Sequence, residues 1–346
     1  MHLNADGVYV CPGAALSDGF VIDADGVLLF GGEINIHPYR FSAMTQMRQA
    51  NLATAPRQRL PGFAVALFPP GDGHLIYGHW LVDFLPRLAL LEAAGYDRAK
   101  LSYLVPRDIP KFAISLMKLL GIPDNRLVEY EPGDIFQPDT LLVPTAMHNG
   151  VRFTPLLHES VALFRRELTR AGADIAAYKS PARVWLGRTG NNRQLLNRGP
   201  IEAMAVEAGF TIVRPELMSL LQQFALCHAA REIAGEYGSA FHTTIFSSPG
   251  TVVCGLRGSE LHPGFIQSGI GEVLGQPTGY VFGKTTSDPG LHDFTICEQD
   301  FADCLKYVFG GSARSLHAVT APAPPAASQP PRKWWRFWRR KEAVLF

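Results

Sequence analysis

Between Arg183 and Leu256, short runs of branched and aromatic residues alternate with helical stretches: RVWLGR, PIEAMAVEAG, FTIVRP, LMSLLQQFALCHAA, REIAG, SAFHTTIF and TVVCGL follow in that order. Strands separated by helices build layered α/β structure, with helices packed on a sheet. An earlier series does the same less regularly. GVYV, FVIDADGVLLFGG and FAVALF read as strands, with Asp25-Gly26 as a hairpin signal between two apolar runs. The pattern turns helical from Gly78; LSYLVP, RLVEY and TLLVP then read as strands, and Lys111 to Gly121 as a helix stopped by glycine ahead of Pro123. At Thr154 a connecting helix begins, TPLLHESVALFRRELTRAG, with a threonine cap, Pro155 at its first position and glycine at its end. A chain of 346 residues holds about two domains at roughly 150 residues each. The expected architecture is α/β: two Rossmann-like domains facing a cleft, an N-terminal lobe over 1–153 and a C-terminal lobe over 154–317.

After His317 the character changes. Residues 318–331 form a Pro/Ala linker, stiffened toward polyproline II and unable to pack a core, and residues 332–346 form a basic-aromatic tail expected to be disordered. The stretch from Arg332 to Glu342 carries six basic residues against one acid, a net +5 that leaves −4 on the rest of a chain whose total is +1. A near-neutral body argues against a nucleic-acid partner bound through a broad basic face. The tail interleaves Trp334, Trp335 and Trp338 with Arg336, Arg339 and Arg340. Tryptophan prefers the headgroup region, and each basic residue near an anionic leaflet is worth about 1 kcal/mol, so the tail is a candidate peripheral membrane anchor. The other reading is a solubility tail or a protein-docking peptide.

Five cysteines include no C-x-x-C pair and leave an odd one over, which suits a reducing compartment. MHLNADGVYVCPG lacks the basic and apolar regions of a secretory signal, and no stretch reaches 18 uninterrupted apolar residues. The expected location is cytoplasmic, peripheral on the inner face of the membrane if the tail anchors. Asp23-Ala24-Asp25 spells D-x-D, but Gly26 and the flanking strands make it a turn. His37, His74, His148, His158, His228, His262, His292 and His317 show no zinc-site spacing, and neither a G-x-S-x-G elbow nor a Walker sequence occurs.

Two segments stand out together, YGHWLVDFLPRLALLE from Tyr77 and GEYGSAFHTTIFSSPGTVV from Gly235, with RVWLGRTGNNRQLLN and PELMSLLQQF between them. Their order resembles the family 61 glycosyltransferases, including bacterial capsular polysaccharide biosynthesis proteins, over roughly residues 75 to 255. The resemblance implies a GT-B-like fold and inverting transfer of a sugar from a nucleotide-sugar donor to a hydroxyl of a polysaccharide, lipid-linked glycan or other cell-surface glycan precursor. It also implies that no metal or other cofactor is essential.

His79 and Asp83 lie four apart in a helical pattern, hence on one face. An inverting transfer needs a base within hydrogen-bond reach of the acceptor hydroxyl. The family's His-x-x-x-Asp pattern matches here, which makes Asp83 the expected base and His79 an acceptor-positioning group or alternative base; an i,i+4 bond that only pins a helix is the plainer reading. Gly235 and Gly238 bracket a strand-to-helix turn whose backbone N–H groups would favour phosphate, although two glycines also occur there for steric reasons alone. Relatives often hold histidine before the second glycine, where this chain has Tyr237, while Gly238, Ser239 and His242 stay in register, so these three, with Gly235 and Asn197, are expected to bind the donor. Arg188 and Arg193, close to Asn191, Asn192 and Asn197, are expected to neutralise the departing diphosphate, unless they are merely solvated loop arginines. Gln223 and Glu216 match a glutamine and an acidic position of the family; Glu216 either binds a ribose hydroxyl or caps its helix. The rival to an enzyme is a non-catalytic nucleotide-sugar or glycan-binding assembly subunit with the same fold, which Tyr237 keeps open.

Overall fold

The computed structural model describes residues 6–23, 56–68, 72–190, 193–258, 265–286 and 292–310. The Asp25-Gly26 hairpin, Asn191, Asn192, the linker and the tail lie outside the described residues.

Seven strands form the first sheet: β1 (Val8–Pro12), β2 (Ala15–Ser17), β3 (Phe20–Ile22), β4 (Arg57–Ala66), β5 (Ser102–Pro106), β6 (Leu127–Tyr130) and β7 (Ile135–Pro144). Its parallel part runs β7-β4-β5-β6, while β1 and β2 add to β7 antiparallel and β3 adds to β2. This half is therefore a mixed sheet, because the short N-terminal strands return along one edge instead of crossing over through helices. A small hairpin follows, β8 (His148–Asn149) with β9 (Arg152–Phe153), turned at Gly150.

The second sheet comprises β10 (Arg183–Leu186), β11 (Thr211–Val213), β12 (Glu232–Glu236), β13 (Val252–Gly258), β14 (Thr278–Thr285) and β15 (Phe294–Thr295) in the order β11-β10-β12-β13-β14-β15. All but the last pair are parallel. Numbered along the chain, the parallel strands stand 2-1-3-4-5, a doubly wound order whose direction of winding reverses between β10 and β12. Ligands of such sheets bind at the C-terminal ends of the strands that flank this reversal.

Two helical turns and seven helices link the strands among the described residues. The chain makes one α-turn, α1 (Tyr77–His79), which runs into a π-turn over Trp80–Phe84; then come α2 (Arg87–Ala93), α3 (Lys111–Leu119), α4 (Leu157–Arg170), α5 (Arg198–Glu207), α6 (Leu220–Ala229), α7 (Ile266–Leu274) and α8 (Glu298–Tyr307). The connecting helix starts at Leu157, later than its sequence suggests. Thr154 accepts the Leu156 N–H at 3.2 Å, and the bonds from Leu157 and His158 back to Thr154 and Pro155 tighten the entry into a separate turn. SAFHTTIF is a 3-10 run over Ser239–Phe246 in place of an α-helix. The largest apolar cluster joins the halves: Val65, Trp80, Leu85 and Leu142 pack in one body with Phe164 of α4, Phe224 of α6, Phe246 and Ile270 of α7.

Candidate functional site

α1 and its π-turn are fixed from behind. Trp80 and Phe84 are fully buried, pack against Phe68 at ring centroid distances of 5.1 and 4.8 Å, and Trp80 donates its indole N–H to the His74 carbonyl at 2.7 Å. Pro86 has no N–H to continue an α ladder, and the Leu85 N–H reaches back five residues to the Trp80 carbonyl at 3.0 Å. With the aromatic face locked into the core, His79 and Asp83 face the other way.

There they meet a third residue. His79 Nδ1 donates to Asp83 Oδ2, and His148 Nε2 donates to Asp83 Oδ1. His148, on β8, also donates from Nδ1 to the Gly150 carbonyl at 3.0 Å and stacks on Phe153 at 4.6 Å. Burial alone would raise the Asp83 carboxyl, but the hydrogen bonds from His148 and His79, aided by their charge, outweigh it and hold the group well below the usual carboxylate range. Asp83 is only 14% exposed, whereas 40% of the His79 side chain is open. With Nδ1 committed to Asp83, a neutral His79 keeps Nε2 as its acceptor, and this atom has no protein partner among the described residues.

This cluster touches the 3-10 run that follows β12. Gly78 lies so close to the 3-10 run that an added Cβ would sit 2.6 Å from His242 Cδ2 and 3.0 Å from Ser239 Oγ. Tyr77 hydrogen-bonds Thr243 at 3.2 Å. Burial pushes the His242 imidazole down to about 4, against partial support from Gln267 and Asp83. The first bond of the 3-10 run joins the Phe241 N–H to the Gly238 carbonyl, which leaves the Ser239 and Ala240 amides outside its ladder.

The arginines stand at the winding reversal. Arg188 follows β10 and donates to the Tyr237 carbonyl at 3.4 Å beyond β12; a Cβ on Gly238 would sit 3.1 Å from its Nη1. Arg193 adopts a left-handed backbone, φ 56°, and burial with Arg188 nearby pulls its guanidinium below the usual arginine range. Neither has a carboxylate in ion-pair reach among the described residues. Gly235 lies inside β12, where φ is 144° and an added Cβ would collide with the Leu186 carbonyl of β10, so it serves the close approach of two strands.

Other predicted residues are engaged elsewhere in the fold. The Asn197 amide makes two bonds to the Ile296 backbone, at 2.8 and 3.1 Å. Gln223 holds the Pro215 and Met218 carbonyls at 2.9 and 3.2 Å, and Glu216 accepts the Thr189 N–H at 3.3 Å. Tyr237 is buried and burial pushes its phenol above the usual range. Among the described residues no three His, Cys, Asp or Glu side chains are arranged to hold a metal ion.

The fold is that of layered α/β proteins whose ligands bind at the C-terminal edge of a parallel sheet. Within that class, the family model Glycosyltransferase 61 matches residues 77–254, just over half of the chain, and the chain belongs to this family. At family level it is a glycosyltransferase. No curated protein matches it.

Proposed function

We propose that this chain is an inverting glycosyltransferase that moves a sugar from a nucleotide donor to a hydroxyl of a polysaccharide or other cell-surface glycan precursor. The supporting observation is the contact of α1 with the turn at Gly238 to His242, which sets a histidine-carboxylate cluster beside an arginine pair at the reversal of the second sheet. In this reading the two halves form a GT-B-like pair. The C-terminal half holds the donor diphosphate through Arg188, Arg193 and the amides of Ser239 and Ala240, with Gly238 leaving room for Arg188. Fixed cations and dipoles carry the leaving-group charge, and no metal is invoked.

The proton acceptor is His79 Nε2. Asp83, held strongly ionised by two imidazoles, is a weak base and serves to orient His79 and to stabilise it once it is protonated. As the acceptor oxygen attacks the anomeric carbon, its proton passes to His79 and the bond to the diphosphate oxygen breaks. His148 steadies Asp83. The aromatic-basic tail binds the inner face of the cell membrane and keeps the enzyme near lipid-linked acceptors.

The test is a panel of uridine and guanosine diphosphate sugars, read for hydrolysis and transfer. His79→Ala and Asp83→Asn are expected to lose about 100- to 10,000-fold in turnover with nucleotide affinity kept. Binding without turnover in every acceptor panel, unchanged by either substitution, would favour the non-catalytic assembly subunit.

A further inference from the structure

Glu236 closes β12, and its carboxylate is fully enclosed. Oε1 accepts Arg198 Nε at 2.8 Å and the Arg188 backbone N–H at 3.3 Å. Oε2 accepts Arg198 Nη2 at 2.9 Å and the Leu195 backbone N–H at 3.3 Å. One buried group therefore ties together the start of the loop after β10, its end, and the first turn of α5. That loop carries Arg188 and Arg193.

Two guanidinium groups drawn together before any anion arrives repel one another, and a flexible loop would let them separate. A carboxylate facing them would hold them but would also compete with the ligand. Glu236 avoids that conflict: its charge is matched by Arg198, and its grip on the loop is through backbone amides. The guanidinium groups of Arg188 and Arg193 are left for an incoming anion.

We infer that Glu236, clamped by Arg198, is the positioning residue that holds Arg188 and Arg193 in place for a diphosphate-bearing ligand. This rests on the proposed donor site. It assigns a role to a buried pair that grips the loop through its backbone.

Binding of inorganic pyrophosphate and of uridine diphosphate to the full chain, by titration calorimetry, tests it alongside thermal unfolding without ligand. Glu236→Gln keeps the shape but turns a donor toward Arg198 and toward the backbone N–H of Arg188 or Leu195, and is expected to weaken both ligands about 10- to 100-fold. Arg198→Lys keeps the charge, loses the two-pronged grip, and is expected to weaken them about three- to tenfold with the fold intact. The exchange Glu236→Arg with Arg198→Glu restores an ion pair but moves the carboxylate away from the loop amides; thermal stability is expected to recover while pyrophosphate binding does not. Wild-type affinity in Glu236→Gln or in Arg198→Lys, or binding that recovers in the exchanged pair, overturns the inference. Should Arg188→Ala and Arg193→Ala also bind as wild type, the donor site itself is wrong; should they bind weakly while Glu236→Gln does not, only the positioning role is.

Discussion

His242 and Asp83 sit in one cluster yet respond to acid in different windows. The His242 imidazole is held at about 4 by burial against an ordinary 6.5, so the unfolded chain takes up a proton that the folded chain refuses between those values. Stability then rises with pH from about 4 to 6.5 on account of this ring and is independent of it above. His242→Asn is expected to flatten the slope of thermal midpoint against pH across that window, and parallel slopes would refute the buried neutral ring. Asp83 acts lower. Its carboxyl is depressed below 3.8, so its contribution is complete above that value and is lost as pH falls through the folded value. Asp83→Asn should remove this acid arm. His148→Gln is expected to slow transfer about tenfold at unchanged nucleotide affinity, measured as a fall in kcat without a change in donor Kd. His148 carried no signal in the sequence: it reaches Asp83 across 65 positions through a hairpin, and no spacing rule links a hairpin histidine to a helical aspartate. His79 and Asp83 were legible because four residues is the repeat of a helix face.

At the scale of elements, the close seat of α1 on the 3-10 run gives Gly78 and Gly235 separable roles. Gly78→Ala meets side chains, which can shift, and is expected to cost about 1–3 kcal/mol by denaturant titration while lowering turnover more than stability would explain. Gly235→Ala meets the Leu186 backbone at a positive φ, so destabilisation larger than that of Gly78→Ala is expected from the same titration. Strands β10 to β13 and helices α5 and α6 were readable from alternating apolar runs, whereas β14, β15, α7 and α8 beyond Leu256 were not read. The 3-10 run was not legible as such. Its apolar residues Phe241, Ile245 and Phe246 fit an α-helix face, but Thr243, Thr244 and Ile245 are β-branched, and distant partners fix the geometry: Gln276 binds the Thr244 carbonyl at 2.8 Å and Gln267 the Thr244 hydroxyl at 2.5 Å. Glu236 reads in sequence only as part of the turn between Gly235 and Gly238; its partners come from a loop and a helix 38 to 48 residues earlier.

At the scale of the molecule, no helix among the described residues is long and apolar enough to cross a membrane. Attachment would fall to the tail, and a chain ending at residue 317 is expected to lose co-sedimentation with anionic vesicles while keeping nucleotide binding. Equal sedimentation of both lengths would remove the anchor. The two halves meanwhile share one apolar body, in which strands of the first sheet pack with α6, the 3-10 run and α7. Swinging the second half away would uncover Phe224, Ile245, Phe246, Ile270 and Leu274 of α6, the 3-10 run and α7. At about 1.5–3 kcal/mol for each large side chain, that approaches the whole stability of an ordinary fold, roughly 5–15 kcal/mol. Small-angle scattering should accordingly give the same radius of gyration with and without saturating uridine diphosphate. Donor and acceptor would then have to enter between walls that keep their separation, because parting them exposes the apolar body the halves share.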